Sequence, residues 1–168
     1  GTATQAHAYV DQVKHTKARV LDTRKTLPGL RIAQKYAVSV GGANNHRMGL
    51  FDSFLIKENH IDAAGGITTA VQQARALRPD LLVEVEVENL QQLDEALEAF
   101  PDIIMLDNFS TDEMTKAVQH NNTSAKIEAS GGLTLSDLSS VADTGVDYIS
   151  IGAITKNVYP LDLSMRFK

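Results

Sequence analysis

Arg24 and Lys25 stand together after a short apolar run, and His46-Arg47 follows in an Asn-containing loop beyond Gly41-Gly42. Arginine presents a planar fork that pairs bidentately with a carboxylate, whereas lysine meets a phosphate as a point charge. Lys57-Glu58-Asn59-His60 closes another apolar run with a further cation and a histidine. Singly, each is a surface cation near a helix start. Together they read as one site for a ligand with several negative charges. Gly41 and Gly42 need be no more than a helix C-cap and turn.

The acidic candidates lie later in the chain. Val83-Glu84-Val85-Glu86-Val87-Glu88 alternates strictly, so its three glutamates share one face of a strand. With the valines against helices, the carboxylates would point inward and need a cation or a metal as partner. Asp107 ends the next run, where parallel pairing would set it beside Glu86. Two carboxylates plus substrate phosphates are a common way to hold Mg²⁺. An edge strand with a solvated acidic face is the alternative. Ser130-Gly131-Gly132 and Ser150-Ile151-Gly152-Ala153 close the last two runs. Glycines there let backbone N–H groups approach an anion at a helix N-terminus. His7, His15 and His120 read as surface residues in helices, and the four methionines as core filler.

Other chemistries are excluded. The chain has no cysteine, which removes disulfides, thiolate catalysis, iron–sulfur clusters and Cys-ligated zinc. It has no Ser–His–acid spacing, no Walker sequence and no His-x-x-x-His motif. The net charge of −5 argues against nucleic-acid binding. That average hides an asymmetry: residues 1–57 hold nine Lys/Arg against three Asp/Glu, and the remainder seven against eighteen. No apolar stretch approaches the ~18 residues of a membrane span and no secretory leader is visible, so a cytoplasmic enzyme is expected.

Positioning these residues takes six apolar runs: Ala18–Asp22, Ser53–Lys57, Leu81–Val87, Ile103–Asp107, Lys126–Ser130 and Tyr148–Gly152. All have strand length, and amphipathic segments separate them. Ile67, Ala70, Val71, Ala74 and Leu77 line one helical face; Leu90, Leu93, Leu97 and Phe100 do the same, as do Leu135, Leu138 and Val141. Ser110 with Glu113 forms a capping box for a helix through Val118, and Pro28 suits the first turn of a helix over Gly29–Val40. Strands alternating with helices imply an α/β fold with a parallel sheet. Polar strand ends favour a TIM-like barrel with its site at the C-terminal rim, and six strands make it open and incomplete. Residues 1–168 read as one domain.

With these residues assembled, the chain resembles the C-terminal barrel domain of the quinolinate phosphoribosyltransferases (decarboxylating nicotinate-nucleotide pyrophosphorylases). The resemblance rests on Leu21-Asp22-Thr23-Arg24-Lys25-Thr26, Pro28-Gly29-Leu30-Arg31, Asn45-His46-Arg47 and Ile56-Lys57-Glu58-Asn59-His60. It continues through Glu84-Val85-Glu86-Val87, Met105-Leu106-Asp107-Asn108, the two glycine motifs and Leu161-Asp162-Leu163-Ser164-Met165. It implies transfer of phosphoribosyl from phosphoribosyl pyrophosphate to quinolinate with Mg²⁺, releasing CO₂ and pyrophosphate in de novo NAD synthesis. It further implies an N-terminal sandwich domain not represented here, and a homodimer or larger oligomer whose partner subunit completes the site with an arginine. On this reading Arg24, His46 and Arg47 bind quinolinate, and Lys57 lies between the two substrates with Thr23 on the same rim. Lys25, Lys57, Asn59 and His60 meet the diphosphate; Glu86 and Asp107 meet Mg²⁺ or the ribose; and Ser130, Gly131, Gly132, Ile151, Gly152 and Ala153 meet the 5-phosphate. Lys25, Lys57, Glu86 and Asp107 are the catalytic candidates. A phosphosugar isomerase or lyase would use the glycine loops but leave the cation pairs without a role, and a domain that only binds anions is the non-enzymatic alternative.

Overall fold

The structure, a computed structural model, describes residues 1–167. Six strands, β1 (Arg19–Leu21), β2 (Phe54–Ile56), β3 (Val83–Val87), β4 (Ile103–Asp107), β5 (Lys126–Ser130) and β6 (Tyr148–Ser150), form one sheet in the order β1-β6-β5-β4-β3-β2. Every pairing is parallel. β1 and β2, consecutive in sequence, occupy opposite edges, so the barrel stays open between them. The helices are α1 (Thr2–Val13), α2 (Arg31–Val40), α3 (Glu58–Ala64), α4 (Ile67–Leu77), α5 (Leu90–Ala99), α6 (Thr111–His120), α7 (Leu138–Asp143) and α8 (Ala153–Lys156). Among the described residues no helix is long and apolar enough to cross a membrane.

The two faces of the sheet differ in chemistry. Val83, Val85, Val87, Ile104, Leu106, Ile127, Ala129 and Ile149 are buried in the apolar core with the helices. The alternate positions, Glu84, Glu86, Met105, Asp107, Glu128, Ser130 and Ser150, lie on the other face. The expectation that the valines face the helices is met for Glu84 and Glu86. Glu88 lies past the end of β3 and is exposed. In the register Glu86 faces Met105, so Asp107 stands one pleat further along β4 instead of directly beside Glu86.

Several boundaries differ from the sequence reading. α2 starts at Arg31 because Gly29 takes φ +75°, outside the helical region, and Pro28 lies in the preceding turn. Leu77, Leu90, Phe100 and Leu135 are exposed instead of lining buried helical faces. Phe100 caps α5 in the left-handed conformation, φ 52°, past the end of the helix. α3 is short and buries none of its residues, so it left no apolar period to read.

Candidate active site

The first cationic loop is held from two helices. Arg31 at the start of α2 donates to Thr26 Oγ1 (3.1 Å), Arg24 O (3.1 Å) and Met48 O (3.2 Å). It thereby ties the loop after β1 to the loop carrying His46-Arg47. Gln34, one turn on, accepts the Leu27 N–H (2.7 Å) and donates to Thr155 O (2.8 Å). Thr155 Oγ1 donates to Lys25 O at 2.7 Å, so α8 supports the same loop.

The second loop is anchored by a buried ion pair. Asp22, wholly buried, accepts from Lys35 Nζ (2.5 Å), Asn45 Nδ2 (2.7 Å) and the His46 N–H (2.8 Å). Lys35, 1% exposed, also donates to His46 O at 2.9 Å. Backbone bonds between Asn44 and β1 extend this junction. Lys35, Gln34, Arg31 and Asp22 were not singled out as site residues by the sequence. Asp22 and Arg31 stand within the motifs that carry the family resemblance, whereas Gln34 and Lys35 are simply adjacent polar residues on α2.

Two cavities share the rim. One, about 300 Å³, is lined by Arg24, His46, Arg47, Lys57, Glu86 and Met105, among others. The second, about 410 Å³, gathers Asp107, both glycine loops and Lys156. Thr23, Lys25, Ser130 and Ser150 line both and mark the junction. In the first cavity Lys57 donates to Glu86. Burial lowers the Arg47 pKa, and the Arg24 guanidinium lowers it further. Arg24 Nε is buried without a partner. Two like charges are thus held together in a partly desolvated place, an arrangement that an anion relieves.

Beneath them, His46 Nε2 lies 3.0 Å from Glu84 Oε2 and 3.6 Å from Glu128 Oε1. Glu84 and Glu128 are buried, and burial followed by the charge of Glu84 pushes the Glu128 pKa to about 8. Burial lowers the His46 pKa, but the hydrogen bond to Glu84 and the charges of both carboxyl groups outweigh it and leave the pKa raised. Glu128 was not among the sequence candidates; its strand, Lys-Ile-Glu-Ala-Ser, alternates too briefly to signal a buried acid.

In the second cavity, Gly131 has φ +105°, and a Cβ there would fall 2.3 Å from Asn108 Oδ1. This position brings the β5 loop against the end of β4. A Cβ at Gly152 would meet the Lys25 side chain at 3.2 Å, so Lys25 crosses the last glycine loop. Asp107 accepts from Asn108 Nδ2 at 2.8 Å. Ala153 opens α8 directly, whereas residues 133–137 separate the Gly131-Gly132 turn from α7. Only the final glycine motif therefore leads straight into a helix.

Asn59 and His60 stand apart. Asn59 donates to Glu58 Oε1 at 2.9 Å, and His60 Nδ1 accepts the Lys57 N–H at 3.0 Å as a cap of α3. His60 faces a cleft between β2, α3 and α4 instead of the rim. The family resemblance implied a diphosphate contact for both; the structure places neither on the lining of the two rim cavities.

The model of the family described as "Quinolinate phosphoribosyl transferase, C-terminal domain" matches residues 2–166. The chain is 49% identical over 98% of its length to the nicotinate-nucleotide pyrophosphorylase [carboxylating] of Mycobacterium leprae, of which it covers 59%. It is 44% identical over 98% of its length to a probable enzyme of the same name in Bacillus subtilis, covering 57% of that protein. The solved nicotinate-nucleotide pyrophosphorylase of Francisella tularensis superposes with a TM-score of 0.92 at 50% identity, over 95% of this chain and 57% of that one. The chain thus spans somewhat under three-fifths of the length of these relatives. Its sequence, its open parallel barrel and its cationic rim agree, and the chain belongs to the quinolinate phosphoribosyl transferase C-terminal domain family.

Proposed function

We propose that this chain forms the substrate-binding barrel of a quinolinate phosphoribosyltransferase, taking quinolinate in the Arg24–Arg47–Lys57 cavity and phosphoribosyl pyrophosphate across the junction into the glycine-loop cavity. One observation carries the assignment: Arg24 and Arg47 crowd one cavity, with Arg24 Nε buried and unpartnered. Adjacent carboxylates on one ring offer two forks to two guanidiniums, whereas a single carboxylate leaves one cation unmatched.

The residues then divide the work by position. Arg24 and Arg47 hold the dicarboxylate and fix the pyridine nitrogen toward the cavity junction. Lys57, paired with Glu86, lines the acceptor cavity on the side that faces the donor. Lys25 and Lys156 face the phosphate-rich substrate, and the glycine loops admit its 5-phosphate to backbone N–H groups. As pyrophosphate departs, positive charge develops on the ribose carbon, and Glu86 and Asp107, on the same sheet face, stabilise it electrostatically. The pyridine nitrogen attacks that carbon. The resulting pyridinium accepts the electron pair released when the neighbouring carboxylate leaves as CO₂. No enzyme nucleophile takes part, so catalysis rests on positioning and charge.

The donor set also fits Mg²⁺. Glu86 and Asp107 supply hard carboxylate oxygens on one face of the rim, and each already meets a donor group, Lys57 or Asn108, that orients it. Bound there with diphosphate oxygens, Mg²⁺ would neutralise charge on the leaving pyrophosphate. The partner we propose is a further copy of the same protein. α2 exposes Ile32, Tyr36 and Val40 along one side, an apolar stripe that supports association.

Calorimetry with quinolinate and with nicotinate on this chain tests the assignment. Quinolinate should bind at least tenfold more tightly; binding is the readout, because the chain alone is expected to turn over little quinolinate. Equal affinity for the two acids would reject it.

A further inference from the structure

His46 lines the cationic cavity, yet both of its ring nitrogens are engaged within the protein. The Arg47 N–H donates to Nδ1 at 2.7 Å. Nε2 meets Glu84 Oε2 at 3.0 Å, with Glu128 Oε1 next at 3.6 Å. An Nδ1 that accepts carries no proton, so the ring proton sits on Nε2 and points down into the barrel. The backbone of residue 46 is equally committed: its N–H goes to Asp22 (2.8 Å) and its carbonyl to Lys35 (2.9 Å).

We propose that His46 is a positioning residue and not a ligand of the dianion: Glu84 holds its imidazole from below, with Glu128 beside it, and the imidazole holds the Arg47 backbone. This rests on the reading of the cavity as the quinolinate site and sharpens it, leaving Arg24, Arg47 and Lys57 as the ionic contacts. The need for such a device follows from charge. Arg47 sits beside Arg24, and its guanidinium has one long bond, to Ser53 O at 3.4 Å. Repulsion between the two guanidiniums favours a splayed Arg47, and a fixed backbone limits how far the side chain can swing.

A metal is the other way to satisfy this cluster. His46, Glu84 and Glu128 offer ligand atoms within 4.8 Å of one another, and Glu84 Oε1 and both Glu128 oxygens have no hydrogen-bond partner. A ligating histidine, however, donates from its other nitrogen, and here that nitrogen accepts. The ring is set to hold a proton at Nε2, not a cation.

Nitrogen NMR of His46 in this chain, free and saturated with quinolinate, gives the direct test. The ring should be protonated at Nε2 with an accepting Nδ1 in both states. A ring that changes tautomer or charge on saturation would overturn the proposal, as would one equivalent of metal retained at the cluster after dialysis. Calorimetry adds a rescue. His46→Ala should lose at least 30-fold in quinolinate affinity, and His46→Asn, whose Oδ1 can accept the Arg47 N–H, should recover at least tenfold of that loss. Equal losses in the two variants would identify a cationic ligand and refute the positioning role. Should the unmodified chain fail to bind quinolinate, the function assigned to the cavity falls, while the spectrum of the free protein still decides the tautomer.

Discussion

Glu128→Gln should stabilise the protein at neutral pH, and the gain should disappear in acid. The carboxyl ionises near 4.5 when unperturbed, but in the fold burial and the charge of Glu84 raise its pKa to about 8. The folded state therefore gains, relative to the unfolded chain, wherever the group is protonated in both. That stability is fully present below pH 4.5, is lost as pH rises toward 8, and changes no further above it. At 1.36 kcal/mol per unit, the loss reaches about 3 kcal/mol by pH 7 and about 5 kcal/mol by pH 8. Glutamine has the shape of the protonated acid and does not titrate, so it avoids this loss. Its amide has its own hydrogen bonds to satisfy beside Glu84, at a cost of about 1 kcal/mol if one is left unmade. A net gain of about 2 kcal/mol is expected at pH 7, with a small loss at pH 4.5. Urea unfolding followed by circular dichroism from pH 4.5 to 8.5 measures both. A variant destabilised by the same amount at every pH would show that Glu128 is ionised in the fold and would refute the reasoning.

Three further outcomes follow from the same geometry. Arg47→Ala should weaken quinolinate binding by about 2–5 kcal/mol while changing phosphoribosyl pyrophosphate binding far less, because it removes one fork and leaves a carboxylate of the dianion unpaired; calorimetry with each ligand separates the two effects. Glu86→Gln frees Lys57 and removes a carboxylate from the developing ribose cation, so turnover should fall at least tenfold while quinolinate affinity holds or rises, a split visible in steady-state kinetics. Lys35→Met leaves Asp22 buried and uncompensated beneath the His46 loop, and denaturant unfolding should show a loss of about 3–5 kcal/mol.

The sheet was legible because its signals are local and strong. Each run from Ala18 to Gly152 contains its strand, and the glycine motifs close β5 and β6 as their spacing suggested. The cation pairs were legible as types, and Arg24, Arg47 and Lys57 do share a cavity. What the sequence could not display is direction. Asn59 and His60 follow Lys57 by two and three positions, but α3 begins at Glu58 and a backbone N–H claims the His60 ring. Lys35 looks like a surface lysine on α2, and only the return of the loop after α2 to β1 gives it Asp22 as a buried partner.

Depth, the remaining unknown, decides what three identical side chains on β3 and its extension can do. Successive same-face positions lie about 7 Å apart along a strand. Glu84, with a side chain 1% exposed, is enclosed with His46 and Glu128, where no ligand reaches it. Glu86, one step nearer the rim and 11% exposed, meets Lys57 on the cavity wall, the depth at which a substrate can touch it. Glu88 passes beyond the strand into solvent, where a carboxylate has no electrostatic leverage. The alternation in sequence specifies the face but not the row. The row follows from where β3 ends relative to β2 and β4, a register fixed by pairings such as Leu55 with Glu84 and Glu86 with Met105. Of the three, only the middle glutamate therefore lines a rim cavity, and the deepest one meets the histidine above it.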